Sequence, residues 1–113
     1  MKLPHCEKAV VSQAKITGYL LSLSHPDGYG KAKFFISLGF SIEAWEVLAE
    51  ALIRHAGEHE VTKMENSPFG TRYVIEGTIV TPEGRTPLIR SVWFVETGEQ
   101  IPRFATAYPL ARR

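Results

Sequence analysis

The 113-residue sequence has a single cysteine, Cys6, so no internal disulfide framework braces it, and a lone thiol fits a reducing compartment. No apolar run approaches the ~20 residues that a membrane helix needs. The start, Met1-Lys2-Leu3-Pro4-His5, has no signal-peptide hydrophobic region. A soluble cytoplasmic protein that makes no membrane contact is expected. Charge of one sign is also missing. The net charge is +1, with six Lys/Arg against five Asp/Glu in residues 1–57 and seven against seven in residues 58–113. Bulk charge therefore exerts no long-range pull toward nucleic acid. Repeats, low-complexity tracts and linkers are absent, and the length suits one domain spanning 1–113, with 1–11 loosely ordered and 110–113 a tail.

The apolar pattern changes period part-way along the chain. Residues 12–23 read as a helix capped by Ser12, with Ile16, Tyr19, Leu20 and Leu23 on one stripe. Ser24-His25-Pro26-Asp27-Gly28 ends it, because a residue before proline is pushed out of helical geometry and Asp-Gly favours a turn. Lys31 to Leu38 reads as a second helix closed by Gly39. A third is capped by Ser41, places Ile42, Trp45, Leu48, Ala49, Leu52, Ile53 and Ala56 on one face, and stops at Gly57. From Glu58 the period is 2. Val61–Glu65 is an edge strand, and Thr71–Thr81 and Thr86–Glu96 flank Pro82-Glu83-Gly84-Arg85, a hairpin signal. A two-residue Glu83-Gly84 loop would pair Tyr73 with Phe94, Ile75 with Val92 and Gly77 with Arg90 on the helix side. Arg72, Glu76, Ser91 and Trp93 would then share the open face. Arg103–Tyr108 is a fourth strand. Helices followed by strands predict an α+β fold, three helices on one face of a four-stranded antiparallel sheet.

Few local motifs carry chemistry. His55 and His59 lie four apart around Glu58, but Gly57 interrupts the helix, the order is not that of a zinc helix, and no third ligand follows. Gly28-Tyr29-Gly30-Lys31 lacks the spacing of a phosphate-binding loop. No metal and no cofactor are expected. His25 offers the commonest acid–base group, and Lys31 is a cation at a helix start, where the dipole disfavours it. The same residues also make a plain turn between helices. On the open sheet face, a carboxylate, arginines and an aromatic are what metal-free RNA cleavage requires. One group deprotonates the 2′-hydroxyl, another protonates the leaving oxygen, and a cation holds the phosphorane charge. Trp93 or Tyr108 would stack a base. A solvated face with cross-strand ion pairs is the competing reading.

Several segments, in their order and spacing, carry a resemblance: Lys15–Leu21, His25–Gly28 with Lys31–Phe35, Leu38-Gly39-Phe40, Phe69–Tyr73, Val92-Trp93-Phe94 and Pro102–Pro109. Together they resemble a bacterial domain family of unknown function, found as small standalone proteins and at the C-termini of polymorphic toxins. That family is distantly similar to the barnase, EndoU, colicin and RelE group of metal-independent ribonucleases, which often end the last strand in a Thr-x-Tyr motif, here Thr106-Ala107-Tyr108. The resemblance implies an endoribonuclease-like, toxin-type domain acting on RNA, with a cognate immunity or antitoxin protein. By that resemblance His25, Lys31, Thr106 and Tyr108 would be its catalytic group, with Arg90 or Arg103 from the sheet binding substrate, and Arg72 and Trp93 of the open face would add substrate contacts. The alternative is a non-catalytic, immunity-type module that binds a protein through the open sheet face.

Overall fold

The computed structural model describes residues 1–110. After a 3-10 turn at Cys6–Lys8 come three helical segments: α1 (Gln13–Lys15, continued by a π turn over Ile16–Leu20), α2 (Tyr29–Ser37) and α3 (Trp45–Glu58). Four strands follow, β1 (Val61–Ser67), β2 (Gly70–Thr78), β3 (Leu88–Glu96) and β4 (Arg103–Pro109), in one antiparallel sheet of order β1-β2-β3-β4. The α+β architecture is the expected one. The first residues pack as well: Leu3 is buried, and Val10 exchanges backbone hydrogen bonds with the segment around Arg103. At the other end, the Leu110 N–H donates to the Leu88 carbonyl, while the rest of the expected 110–113 tail lies outside the described residues.

All three helices depart from their expected bounds, α2 by running over Tyr29–Ser37 where Lys31–Leu38 was expected. Ser12 caps α1 by accepting from the Lys15 N–H at 3.3 Å, as expected. The helix then widens, and the Leu21 N–H reaches back to the Ile16 carbonyl at 2.8 Å, one residue further than in an α-helix. That extra residue puts Ile16, Leu20 and Leu21 on the buried face in place of the expected 16-19-20-23 stripe. Leu23 is left in solvent, and Tyr19 moves to the margin of the sheet. The third helix begins at Trp45, not Ser41. Ser41 instead caps the preceding turn through the Ala44 N–H, and Ile42 is exposed. It also runs through Gly57 to Glu58.

The largest correction concerns the β2–β3 hairpin. The Gly84 N–H donates to the Thr81 carbonyl at 3.0 Å, and Gly84 alone takes a left-handed φ of 87°, so the loop is the three residues Pro82–Gly84. A two-residue primed turn would have required positive φ at Glu83 as well. Tyr73 consequently pairs with Trp93, Ile75 with Ser91 and Glu76 with Arg90. One residue of slip reverses every side chain of β3. Trp93, Ser91 and Ile89 lie under the helices, and Arg90 stands on the open face, each opposite to the expected side.

The relocated β3 residues build a polar chain inside the core. Trp93 is fully buried, and its indole N–H donates to Ser91 Oγ at 2.9 Å. The Ser91 hydroxyl in turn donates to His55 Nδ1 at 3.0 Å, and His55 Nε2–H donates to the Gly77 carbonyl at 3.1 Å. This accounts for the His55–His59 pair without a metal: both His55 nitrogens are engaged, and His59 Nε2 donates to the Thr78 carbonyl at 2.8 Å. Gly77 carries no side chain because the His59 ring occupies the space where one would stand.

Burial, opposed by the Gly77 hydrogen bond, depresses the pKa of His55 from 6.5 to about 4. Between those values the unfolded chain binds a proton that the folded chain refuses, so stability falls as pH falls through this window. Urea unfolding should show a loss of about 2 kcal/mol between pH 7.5 and pH 5. His55→Gln should remove most of that slope. An equal slope in the variant would mean that His55 is not its source. Glu58 and Glu65, whose pKa values are also lowered, act below pH 4.5 and lie outside the measured range.

Candidate functional site

The turn after α1 is built around Tyr19. His25 Nδ1 accepts the backbone N–H groups of Asp27 and Gly28 at 3.0 and 3.1 Å, and the His25 carbonyl accepts the N–H of Tyr29, the first residue of α2. Gly28 packs so closely on the Tyr19 carbonyl that there is no room for even a Cβ atom. The imidazole meets the Tyr19 ring edge-to-face, with centroids 5.0 Å apart. With Nδ1 occupied as an acceptor, the neutral ring carries its proton on Nε2 and presents a donor rather than a base.

One turn into α2, Lys31 extends over the edge of β4. Its Nζ donates to the Tyr19 hydroxyl at 2.5 Å and lies 5.0 Å from the Tyr19 ring centroid and 5.9 Å from that of Tyr108. Thr106 Oγ1 is 2.9 Å from the same Tyr19 hydroxyl. A bulge in β4 at Ala105, between the Val92–Thr106 and Trp93–Phe104 pairs, lets Thr106 and Tyr108 share the open face while Phe104 stays in the core. His25, Lys31 and Thr106 thereby meet at one phenol, and Tyr108 stands beside Lys31. Sequence periodicity had assigned that phenol, Tyr19, to the core. Only the π turn reveals it, and no local motif marks it.

The polar strip continues across the sheet. Arg90 donates to the Tyr108 hydroxyl at 3.1 Å and through Nε to Glu76 Oε2 at 2.7 Å, with a further bond from its terminal nitrogen to the same oxygen. A groove of about 340 Å³ opens beside these residues, lined also by Lys63 and Arg72. Arg72 is neutralised by Glu65 at 2.6 Å. On the other side of Tyr19 lies a hollow of about 560 Å³ walled by Lys15, Tyr19, His25, Asp27 and Ala105. Arg103 lines a separate, smaller hollow of about 280 Å³ that shares Lys15 and Ala105 with the first, and it has no ion-pair partner among the described residues. Trp93 is not part of any of these surfaces, and its expected role as a base-stacking platform is withdrawn because the ring is enclosed by the core.

Burial would raise the Tyr19 pKa, yet the phenol sits below its ordinary value of 10.0. Hydrogen bonds from Lys31 and Thr106, with the charges of Lys31 and Lys15, more than offset the desolvation.

A family model described as "Domain of unknown function (DUF6883)" matches residues 2–111. The chain belongs to this family. The expected resemblance to a domain family of unknown function is thus met. No curated protein matches the DUF6883 chain. Among solved structures, a chain of a contact-dependent growth inhibition toxin–immunity protein complex from Klebsiella pneumoniae 342 is similar to it, with a TM-score of 0.70 and 21% identity over 90% of this chain and 100% of that one. The likeness establishes a shared fold.

Trp93→Phe separates a core role from a surface role in this DUF6883 domain. It leaves Ser91 Oγ without its buried donor and should cost about 2–3 kcal/mol in urea unfolding. Any RNA binding or cleavage, per folded molecule, should stay unchanged. Weakened RNA binding at unaltered stability would restore Trp93 to the surface.

Proposed function

We propose that this DUF6883 domain is a metal-independent, toxin-type endoribonuclease. The observation that carries the reading is the meeting of Lys31 and Thr106 on the Tyr19 hydroxyl, with His25 against the Tyr19 ring and Tyr108 beside Lys31, next to an open hollow. These groups supply the cations, the proton donor and the positioning that transesterification of RNA needs. Lys31 is a cation placed to hold phosphate charge and to donate a proton, and Arg90 is a second cation further along the strip. The Nε2–H of His25 donates to a phosphoryl oxygen, which replaces the acid–base role expected for it. Thr106 and Tyr108 position the nucleotide, Tyr108 by offering a ring face for a base. Arg103, beyond Lys15, would meet the backbone further along the strand. The products of such a step are a 2′,3′-cyclic phosphate and a 5′-hydroxyl end. A near-neutral chain suits one particular RNA better than RNA at large, and a toxin-type domain implies a cognate immunity protein as its partner in the producing cell.

A second reading is favoured by one surface. Leu23, Tyr29 and Ile36 are exposed together beside Lys33, an apolar patch of the kind that protein partners cover. In that reading the domain is an immunity-type binding module.

Incubation of total RNA with the purified protein in EDTA distinguishes the two. The wild type should cleave and leave cyclic-phosphate ends. Lys31→Ala and Thr106→Ala should each lose about 10²-fold or more in rate, and His25→Ala should lose less. Absence of cleavage by the wild type, with one stable protein partner recovered, would replace the nuclease reading by the binding module.

A further inference from the structure

The proposed reaction needs a proton acceptor, and the residues expected to supply one are committed elsewhere. His25 Nδ1 is filled by two backbone amides. Lys31 is a donor. Glu76 is the nearby carboxylate on the open face, and Arg90 holds its Oε2 with two hydrogen bonds. Tyr19 remains. Its hydroxyl is contacted by Lys31 and Thr106, and a phenolic oxygen with two such partners has a position left for a third. The side chain also walls the 560 Å³ hollow, together with Lys15, His25 and Asp27.

The groups facing Tyr19 favour its anion. Lys31 from α2 and Lys15 from α1 lie 5.0 and 5.6 Å from its ring centroid. His25 stands edge-on at 5.0 Å, and Asp27, on the same hollow, is the one carboxylate lining it. Tyr108 lies beyond Lys31 on β4.

We propose that Tyr19 is a catalytic residue that takes the proton of the ribose 2′-hydroxyl from single-stranded RNA bound in this hollow. The inference rests on the nuclease reading above and names its base. The Tyr19 phenolate accepts the 2′ proton, the 2′ oxygen bonds to phosphorus, and the P–O5′ bond breaks with its electron pair on the 5′ oxygen. The Lys31 ammonium protonates that oxygen. Tyr19 is then a phenol and Lys31 an amine, and the proton crosses their 2.5 Å hydrogen bond to restore the starting pair. No further reactant is needed.

The test pairs a pH–rate profile on a mixed-sequence single-stranded RNA oligonucleotide in EDTA with an ultraviolet phenolate titration of the same proteins. In the wild type, kcat should rise above neutral pH, tracking one tyrosine that ionises below 10 and is missing in Tyr19→Phe. Tyr19→Phe should lower kcat by about 10²–10⁴-fold with KM within about 2-fold, and should abolish the rise. Lys15→Gln, a change at the hollow's rim, should move the titration and the rate profile to higher pH together, since it removes a cation that favours the phenolate. A purely structural Tyr19 would leave the Lys15→Gln rate profile in place, and that result overturns the proposal even if Tyr19→Phe folds poorly. Active wild type with kcat of Tyr19→Phe within about 3-fold also overturns it but leaves the nuclease reading standing. Wild type inert toward RNA overturns the nuclease reading, and the assigned step with it, whatever the titration shows.

Discussion

The hydrogen bond from the Gly84 N–H to the Thr81 carbonyl closes a three-residue loop, and the odd number of residues in that loop decides which face of β3 is which. A strand presents alternate side chains to opposite faces, so parity at the turn propagates through nine paired positions. On one side it delivers Trp93 and Ser91 to His55 of α3, completing a buried chain in which every donor has an acceptor. On the other it stands Arg90 between Glu76 and Tyr108. Core and open face therefore share one local cause. Pro82 suits the start of such a loop because its ring holds φ near the value a type I turn requires.

A second irregularity does comparable work at the margin of the sheet. The π turn in α1 adds one residue between Ile16 and Leu21, which keeps three apolar side chains buried while releasing Tyr19. Gly28 lets the following turn close on the Tyr19 backbone, and the bulge at Ala105 turns Thr106 toward its hydroxyl. Lys31 then bridges α2 to β4 across that phenol. A widened helical turn, a close backbone approach and a bulge around one polar group are the pattern expected where a fold trades regularity for a site.

The fold is shared with a chain of a growth-inhibition toxin–immunity complex. The two readings proposed above use neighbouring surfaces: a strip of cations and phenols suits a phosphodiester, and the nearby Leu23, Tyr29 and Ile36 suit a protein. The two surfaces adjoin at α2, where Tyr29 and Lys33 of the apolar patch stand on either side of Lys31 in the chain.

Much of this was legible along the chain. The switch from period 3.6 to period 2 near Glu58 established the α+β order, because that periodicity is a local property of the residues and needs no knowledge of partners. His25, Lys31, Thr106 and Tyr108 could be singled out by residue type and by resemblance, and their pairing with the ends of helices and strands followed from turn chemistry. Three things depended on tertiary structure. The hairpin register turned on whether Glu83 or Pro82 opens the loop, a difference of one residue that the strand pattern tolerates either way and that only packing of Trp93 and Ser91 against α3 resolves. Whether Tyr19 was core or site turned on a single extra residue in a helical turn, to which the periodicity of a twelve-residue stretch is insensitive. The meeting of Tyr19 with Lys31 and Thr106 joins residues up to 87 positions apart, and no local pattern encodes such a contact. Local chemistry determined which residues could act. Long-range packing decided which of them meet.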